Sequence, residues 1–276
     1  MSARSRIVVQ QRAWAEAAGH RPGPPGYLGS VDANLRAPMT PATLASFQAG
    51  GGAELQEHPR QPAKLRALYS SAALAVNVFD YWTGRDAAPL LTALGIDDRA
   101  LRIEFEARFP IGTEDHPPCV DVAIALASGM SCGIECKFTE WHTPRRPAKI
   151  RFKEKYFPAG EELWRSRGLP ACQSLAQELQ HGATRFRFLY ATQLLKHALG
   201  MASQCRDGFT LLYLYYDWTG PAAREHRREI EQFAARVGAE LRFRALSYQQ
   251  LHTRLRECAA EHTAYLDYLG ARYFPA

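Results

Sequence analysis

No run of apolar residues approaches the ~20 needed to span a bilayer. The opening stretch, MSARSRIVVQQRAWAEAAGH, holds no apolar core of useful length. A membrane protein and a secretory leader are therefore not expected, and a cytoplasmic location is. Cysteine is scarce. Cys119, Cys132, Cys136, Cys172, Cys205 and Cys258 are scattered over 276 residues, which fits reduced thiols rather than a disulfide framework. Cys132, Cys136 and His142 lack the spacing and the second cysteine pair of a structural zinc site. No internal repeat is visible. Acidic excess is missing too: 34 Lys and Arg stand against 28 Asp and Glu, and the sequence pI is about 9.0. A modest basic surplus fits a polyanionic partner without proving one.

What is present reads as an ordinary globular chain, with 46% hydrophobic and 22% charged residues. Residues 1–62 are expected to form an irregular extension, because Arg21–Ser30 and Pro38–Pro62 are rich in Pro, Gly and Ala. One domain is expected over 63–276. In KLRALYSSAALAVNVFDYW, Leu74, Val78 and Tyr81 share a helical face, and Ser70 or Ser71 can cap it. Pro89–Ile96 predicts a short helix stopped by Gly95. Leu101–Pro110 alternates strictly, with Ile103, Phe105, Ala107 and Phe109 on one expected face. Val120–Ala127 and Cys132–Phe138 follow as strands across a Gly129 turn, giving an antiparallel meander. Residues 139–184 read as an insertion. A long helix over Arg187–Gln204, a buried strand over Phe209–Trp218, a helix over Ala222–Val237, a strand over Glu240–Ala245 and a final helix from Tyr248 complete the order. The class is α/β with a mixed sheet.

Chemistry concentrates in the meander. Glu135 and Lys137 are two residues apart, so both side chains leave one face of a strand, while Ile134, Cys136 and Phe138 point the other way. Asp121 lies on the preceding strand. Two carboxylates and an ammonium converging among apolar neighbours are costly unless paired. A Mg²⁺ ion, for which Mn²⁺ substitutes, would explain them. Asp121, Glu135 and the backbone carbonyl of Cys136 supply oxygens of the kind Mg²⁺ prefers, and Lys137 would orient a water or stabilise developing charge. The plain alternative is a salt-bridge ladder between strands.

The helix–meander–helix–strand order with Asp121…Glu135-Cys136-Lys137 resembles the PD-(D/E)XK superfamily, the restriction-endonuclease-like fold. SSAALAVNVFDYW, FEARFP, PPCVDVAIAL and GIECKF are similar to a group of bacterial restriction-endonuclease-like proteins. The resemblance spans roughly residues 64–250. It implies an αβββαβ core, a Mg²⁺-dependent nuclease acting on DNA, and metal binding by Asp121 and Glu135 with Lys137 assisting the nucleophile. Val120 stands where the superfamily carries Pro. The resemblance also offers Glu106 as a further acid, otherwise a solvent-facing strand residue, and Gln193 as a polar residue of the following helix. Lys196 and His197, one turn on, read as solvated.

Arg145, Arg146, Lys149, Arg151, Lys153 and Lys155 form a basic run directly after the motif strand, suited to phosphate contacts. A solvated loop is the alternative. RNA in place of DNA, a homodimer, a catalytically silent binding protein on the same fold, and a metal-dependent hydrolase of another substrate remain open at this level.

Overall fold

The computed structural model describes residues 3–49, 54–58, 61–112, 116–145 and 151–275. The order is α1 (Ala3–Ala17), α2 (Pro41–Ala49), α3 (Ser71–Phe79), α4 (Ala88–Leu94), β1 (Ala100–Arg108), β2 (Cys119–Leu126), β3 (Ser131–Lys137), α5 (Pro170–His181), α6 (Ala191–Gln204), β4 (Phe209–Tyr215), α7 (Pro221–Leu241), β5 (Arg244–Ser247), α8 (Tyr248–Cys258) and α9 (Thr263–Tyr273). The strands form one sheet in chain order. β1, β2 and β3 pair antiparallel, while β3–β4 and β4–β5 pair parallel. The chain is thus α/β with a mixed five-stranded sheet flanked by helices. Among the described residues no helix is long and apolar enough to cross a membrane.

Each face of the sheet carries its own core. Ile134, Cys136 and Phe138 of β3 pack with α3, α4, α8 and α9. On the opposite face α5, α6 and α7 bury Leu175, Leu195, Leu199 and Phe233 against Leu211 and Tyr213 of β4. Met201 of α6 packs its side chain so closely on Gly133 that a Cβ there would meet its sulfur. The absence of a side chain at Gly133 therefore makes room for Met201 on the strand that carries Glu135 and Lys137.

Local signals hold where the chemistry is local. Ser70 caps α3 by accepting the Ala73 N–H, and Gly95 ends α4 in the left-handed region at φ 67°. Asn77 makes structural contacts, accepting the Arg36 N–H and donating to the Asn34 carbonyl.

Several expectations are corrected. Residues 1–62 are only partly irregular: among the described ones Arg21–Ser30 runs as turns, bends and loop as expected, but α1 and α2 are helices. Ile7, Leu35 and Phe47 enter the α3-side core. Gln11 donates to the Arg272 carbonyl at 2.7 Å, and the buried Arg272 guanidinium donates to the Asn34 carbonyl at 2.8 Å. Tertiary partners 238 and 261 residues away in the chain, not local periodicity, hold this segment. The helix expected from Arg187 begins at Ala191, because the Glu229 carboxylate accepts the N–H groups of Arg187, Phe188 and Leu189 and holds them out of helix. α7 runs on to Leu241, which moves the next strand to Arg244–Ser247.

The single face expected for Ile103, Phe105, Ala107 and Phe109 is also corrected. Ile103 and Phe105 join the α3-side core, whereas Ala107 and Phe109 pack on the α6 side. The pleat breaks at Glu106, whose φ is +50°. β2 breaks at the same level: Val120 packs with the α6-side core and Val122 with the α3-side core, with Asp121 between them.

Candidate nuclease site

The site grows from three neighbouring strands. Phe105 pairs with Val122 and Ala107 with Val120, which sets Glu106 opposite Asp121. The β2–β3 ladder runs from Ala125↔Ser131 to Val122↔Ile134. One step beyond, the Asp121 carboxylate accepts the Cys136 N–H at 2.6 Å, taking the part a main-chain carbonyl plays earlier in the ladder. The Lys137 carbonyl accepts from Tyr216 on the β4 side. By strand alternation the Cys136 carbonyl therefore leaves on the Asp121 side, like its own N–H.

Glu135 and Lys137 share the face that α6 covers, as their spacing requires. The Lys137 ammonium closes on Glu135 Oε1, and His197 Nε2 lies 2.7 Å from Oε2. Glu135 is 1% exposed, His197 3% and Lys137 8%. The carboxylate is thus held at both oxygens. His197 is not a solvated helix residue but the third member of this group. Its signal is present in the sequence: Leu194 and Met201, three before and four after it, put position 197 on the buried face of α6. Its Nδ1 finds no partner among the described residues.

The charges bear on one another. Burial pushes Glu135 upward, but Lys137 and His197 outweigh it and hold the carboxyl at about 2. Burial alone would lower Lys137, yet the carboxylates of Glu135, Asp121 and Glu140 raise it above the ordinary lysine value. Asp121 goes well above the usual carboxylate range, through burial and then repulsion by Glu135. Glu106, half-buried and facing Glu54, is pushed up to about 7, and Cys119 Sγ donates to it at 3.5 Å. Its left-handed backbone adds strain on the order of 1–3 kcal/mol, of a kind that clusters at functional sites. Gln193 lies one turn before His197, half-buried.

Among the described residues, no three His, Cys, Asp or Glu side chains gather closely enough to hold a metal by themselves. Mg²⁺ needs no such cage. It binds through one or two carboxylates and keeps several waters. Asp121 and Glu135 repel each other, and the Cys136 carbonyl faces the same edge, so the donor set fits a hard divalent cation.

The basic run divides. Arg146 and Lys149 lie outside the described residues. The Arg145 guanidinium sits 3.2 Å over the Tyr190 ring, and burial lowers its pKa. Arg151 and Lys153 are exposed. Lys155 donates to the His116 carbonyl at 2.9 Å. Lys196, expected in solvent, packs its ammonium over Phe152 and Tyr156. Burial and the charges of Lys153 and Lys155 lower its pKa. These three lysines therefore form one positive patch beside α6.

Over residues 41–274 the chain matches the family described as Restriction Endonuclease associating with ARP. It belongs to that restriction-endonuclease-related family. The matched range begins in α2 and ends just past α9, so every strand and every candidate site residue of this REase-ARP member lies inside it, and α1 lies before it. No curated protein and no solved structure matches the chain.

Proposed function

We propose that this REase-ARP member is a metal-dependent nuclease of PD-(D/E)XK type that hydrolyses phosphodiester bonds of DNA. The observation that carries the reading is the buried Glu135–Lys137–His197 group beside Asp121. Membership of a restriction-endonuclease-related family supports it.

Asp121, Glu135 and the Cys136 carbonyl would bind Mg²⁺ or Mn²⁺, with Glu106 the further acid of the cluster. The bound ion would supply an acidified water and neutralise charge on the phosphate. Lys137 stays an ammonium at neutral pH because three carboxylates raise its pKa. It is therefore suited to stabilising charge on a phosphate oxygen, not to accepting a proton. His197 fixes the orientation of Glu135, and Gln193 extends the same helix face toward the substrate. Arg145, Arg151, Lys153, Lys155 and Lys196 would neutralise backbone phosphates; Arg146 and Lys149 belong to the same proposed strip.

A second reading has an observation of its own: both Glu135 oxygens already have protein partners. A catalytically silent DNA-binding protein would need no more. Supercoiled plasmid, linear duplex and single strands, incubated with Mg²⁺, Mn²⁺ or EDTA, separate the two. Metal-dependent cutting by wild type, lost in Lys137→Ala, is the expected result. Salt-sensitive gel shifts with no turnover in any metal would favour the silent binder, and unchanged cutting by Lys137→Ala would remove Lys137 from the site.

A further inference from the structure

A cavity of about 350 Å³ opens between the N-terminal segment, the start of α3 and the chain leaving β3. That is within the ~300–1,000 Å³ typical of small-molecule sites. Its walls include Tyr27, Tyr69, Arg4, Lys64, Glu54 and Glu140. The cavity adjoins the acidic cluster. Thr139, one of its lining residues, follows Lys137 by two positions, where the chain bends out of β3. The Glu140 charge acts on Lys137, and the Glu54 and Lys64 charges act on Glu106.

We propose that this cavity receives the base of a nucleotide adjoining the phosphate to be cut. The inference rests on the nuclease reading for its position and on the walls for its chemistry. Tyr27 and Tyr69 meet edge to face, with ring centroids 6.1 Å apart, and offer the aromatic surface on which an unstacked base settles. The Arg4 guanidinium lies over the Tyr69 ring and closes that side. Two cations and two carboxylates cancel in formal charge, so the lining suits a neutral base better than a phosphate. Glu54 spends one oxygen on Lys64, and one oxygen of Glu140 accepts the Phe138 N–H. The second oxygen of either can accept from an exocyclic amino group such as cytosine N4. Arg4 and Tyr27 precede the family-matched range, so the cavity walls combine residues from outside that range with residues from inside it. A base can reach the cavity only out of the stack. The expected ligand is therefore single-stranded DNA, or a strand opened at an end or a mismatch.

The test uses the wild-type chain in EDTA, where no metal-dependent cutting occurs. Short single-stranded DNA carrying 5-iododeoxycytidine is irradiated, and the crosslinked residue is read by mass spectrometry. Crosslinks at Tyr27 or Tyr69 are expected. Ser71→Phe, which fills the cavity from the first turn of α3, and Tyr69→Leu should each weaken single-strand binding roughly tenfold and leave duplex binding unchanged, with circular dichroism checking the fold. Crosslinks confined to other residues, or folded variants that bind single strands as tightly as wild type, would overturn the proposal. Cutting by wild type with crosslinks elsewhere removes the subsite alone. Crosslinks at the tyrosines with no cutting in any metal remove the nuclease reading and leave a base-binding cavity.

Discussion

The two faces of β3 solve opposite problems with alternate residues of one strand. Toward α3, Ile134, Cys136 and Phe138 are buried in apolar surroundings and need only shape. Toward α6, Glu135 and Lys137 are buried almost as deeply and need partners, found in each other, His197 and the nearby Asp121. The first face is stabilised by area removed from water. The second holds charges whose desolvation roughly offsets their mutual attraction, so stability gives little reason for it and chemistry gives a better one. Adjacent substitutions on the two faces should therefore break different properties.

The largest effect belongs to Glu135→Gln. The amide keeps the shape but removes the charge that would hold a metal. Cleavage should fall on the order of a thousandfold, several kcal/mol at the transition state. Unfolding stability should fall too, because the buried Lys137 loses the carboxylate it is paired with, but the loss of cutting should far exceed what that destabilisation explains. Single-turnover rates and urea melts of one preparation measure both. A drop in stability with cutting intact would reverse the division of labour.

Ile134→Ala is the counterpart. Ile134 is fully buried, and truncation should cost about 2–5 kcal/mol through lost transfer energy and the cavity left behind. Metal affinity should stay near wild type. A variant as stable as wild type, or one that no longer binds Mn²⁺, would mean that the faces are not independent.

His197 sharpens the polar side. Outer partners that orient a metal-binding carboxylate typically contribute 10–100-fold in affinity. His197→Ala should weaken Mn²⁺ binding, read by calorimetry, by roughly that factor. His197→Gln, which can still donate to Glu135 Oε2, should recover most of it. Equal loss in both variants would make His197 a packing residue only.

How much of this was legible depended on the range of the signal. The Glu-x-Lys parity follows from a period of two, and the short β2–β3 connection from Gly129, whose φ is +86°; both are local. His197 needed the phase of α6 relative to β3, which Met201 over Gly133 fixes only in three dimensions. The pleat break at Glu106 and Asp121 escaped because strict alternation of apolar residues looks the same whether or not one residue turns left-handed. α1 escaped because its sequence is only weakly amphipathic and its anchor, Gln11 on Arg272, joins opposite ends of the chain. The cavity beside the site combines residues from four separate stretches, none of which is a motif by itself.

The smallest effect tests whether the polar face tolerates charge where it has no counter-ion. His226 of α7 is fully buried, stacked on Trp141 at 4.2 Å, with Nε2 2.9 Å from the Tyr213 hydroxyl. Burial lowers its pKa to about 3, with the charges of His142 and Arg227 acting the same way. Unlike Glu135, it has no ionised partner among the described residues and stays neutral. Above the ordinary histidine value of 6.5 the ring is neutral in both folded and unfolded chains, so stability there does not depend on it. As pH falls below 6.5 the unfolded chain takes up a proton that the folded chain refuses. Stability then declines by up to about 1.4 kcal/mol per pH unit until the folded value near 3 is reached. His226→Phe keeps the stack on Trp141 and removes the titration. It should cost about 1 kcal/mol at pH 7.5, where the Tyr213 hydroxyl loses its partner, and should show a shallower loss than wild type between pH 6.5 and 5 in guanidinium melts. Parallel pH slopes for the two proteins would mean that the Trp141 stack opens enough for His226 to be protonated in the folded chain, and that this side of the sheet admits charge without a partner.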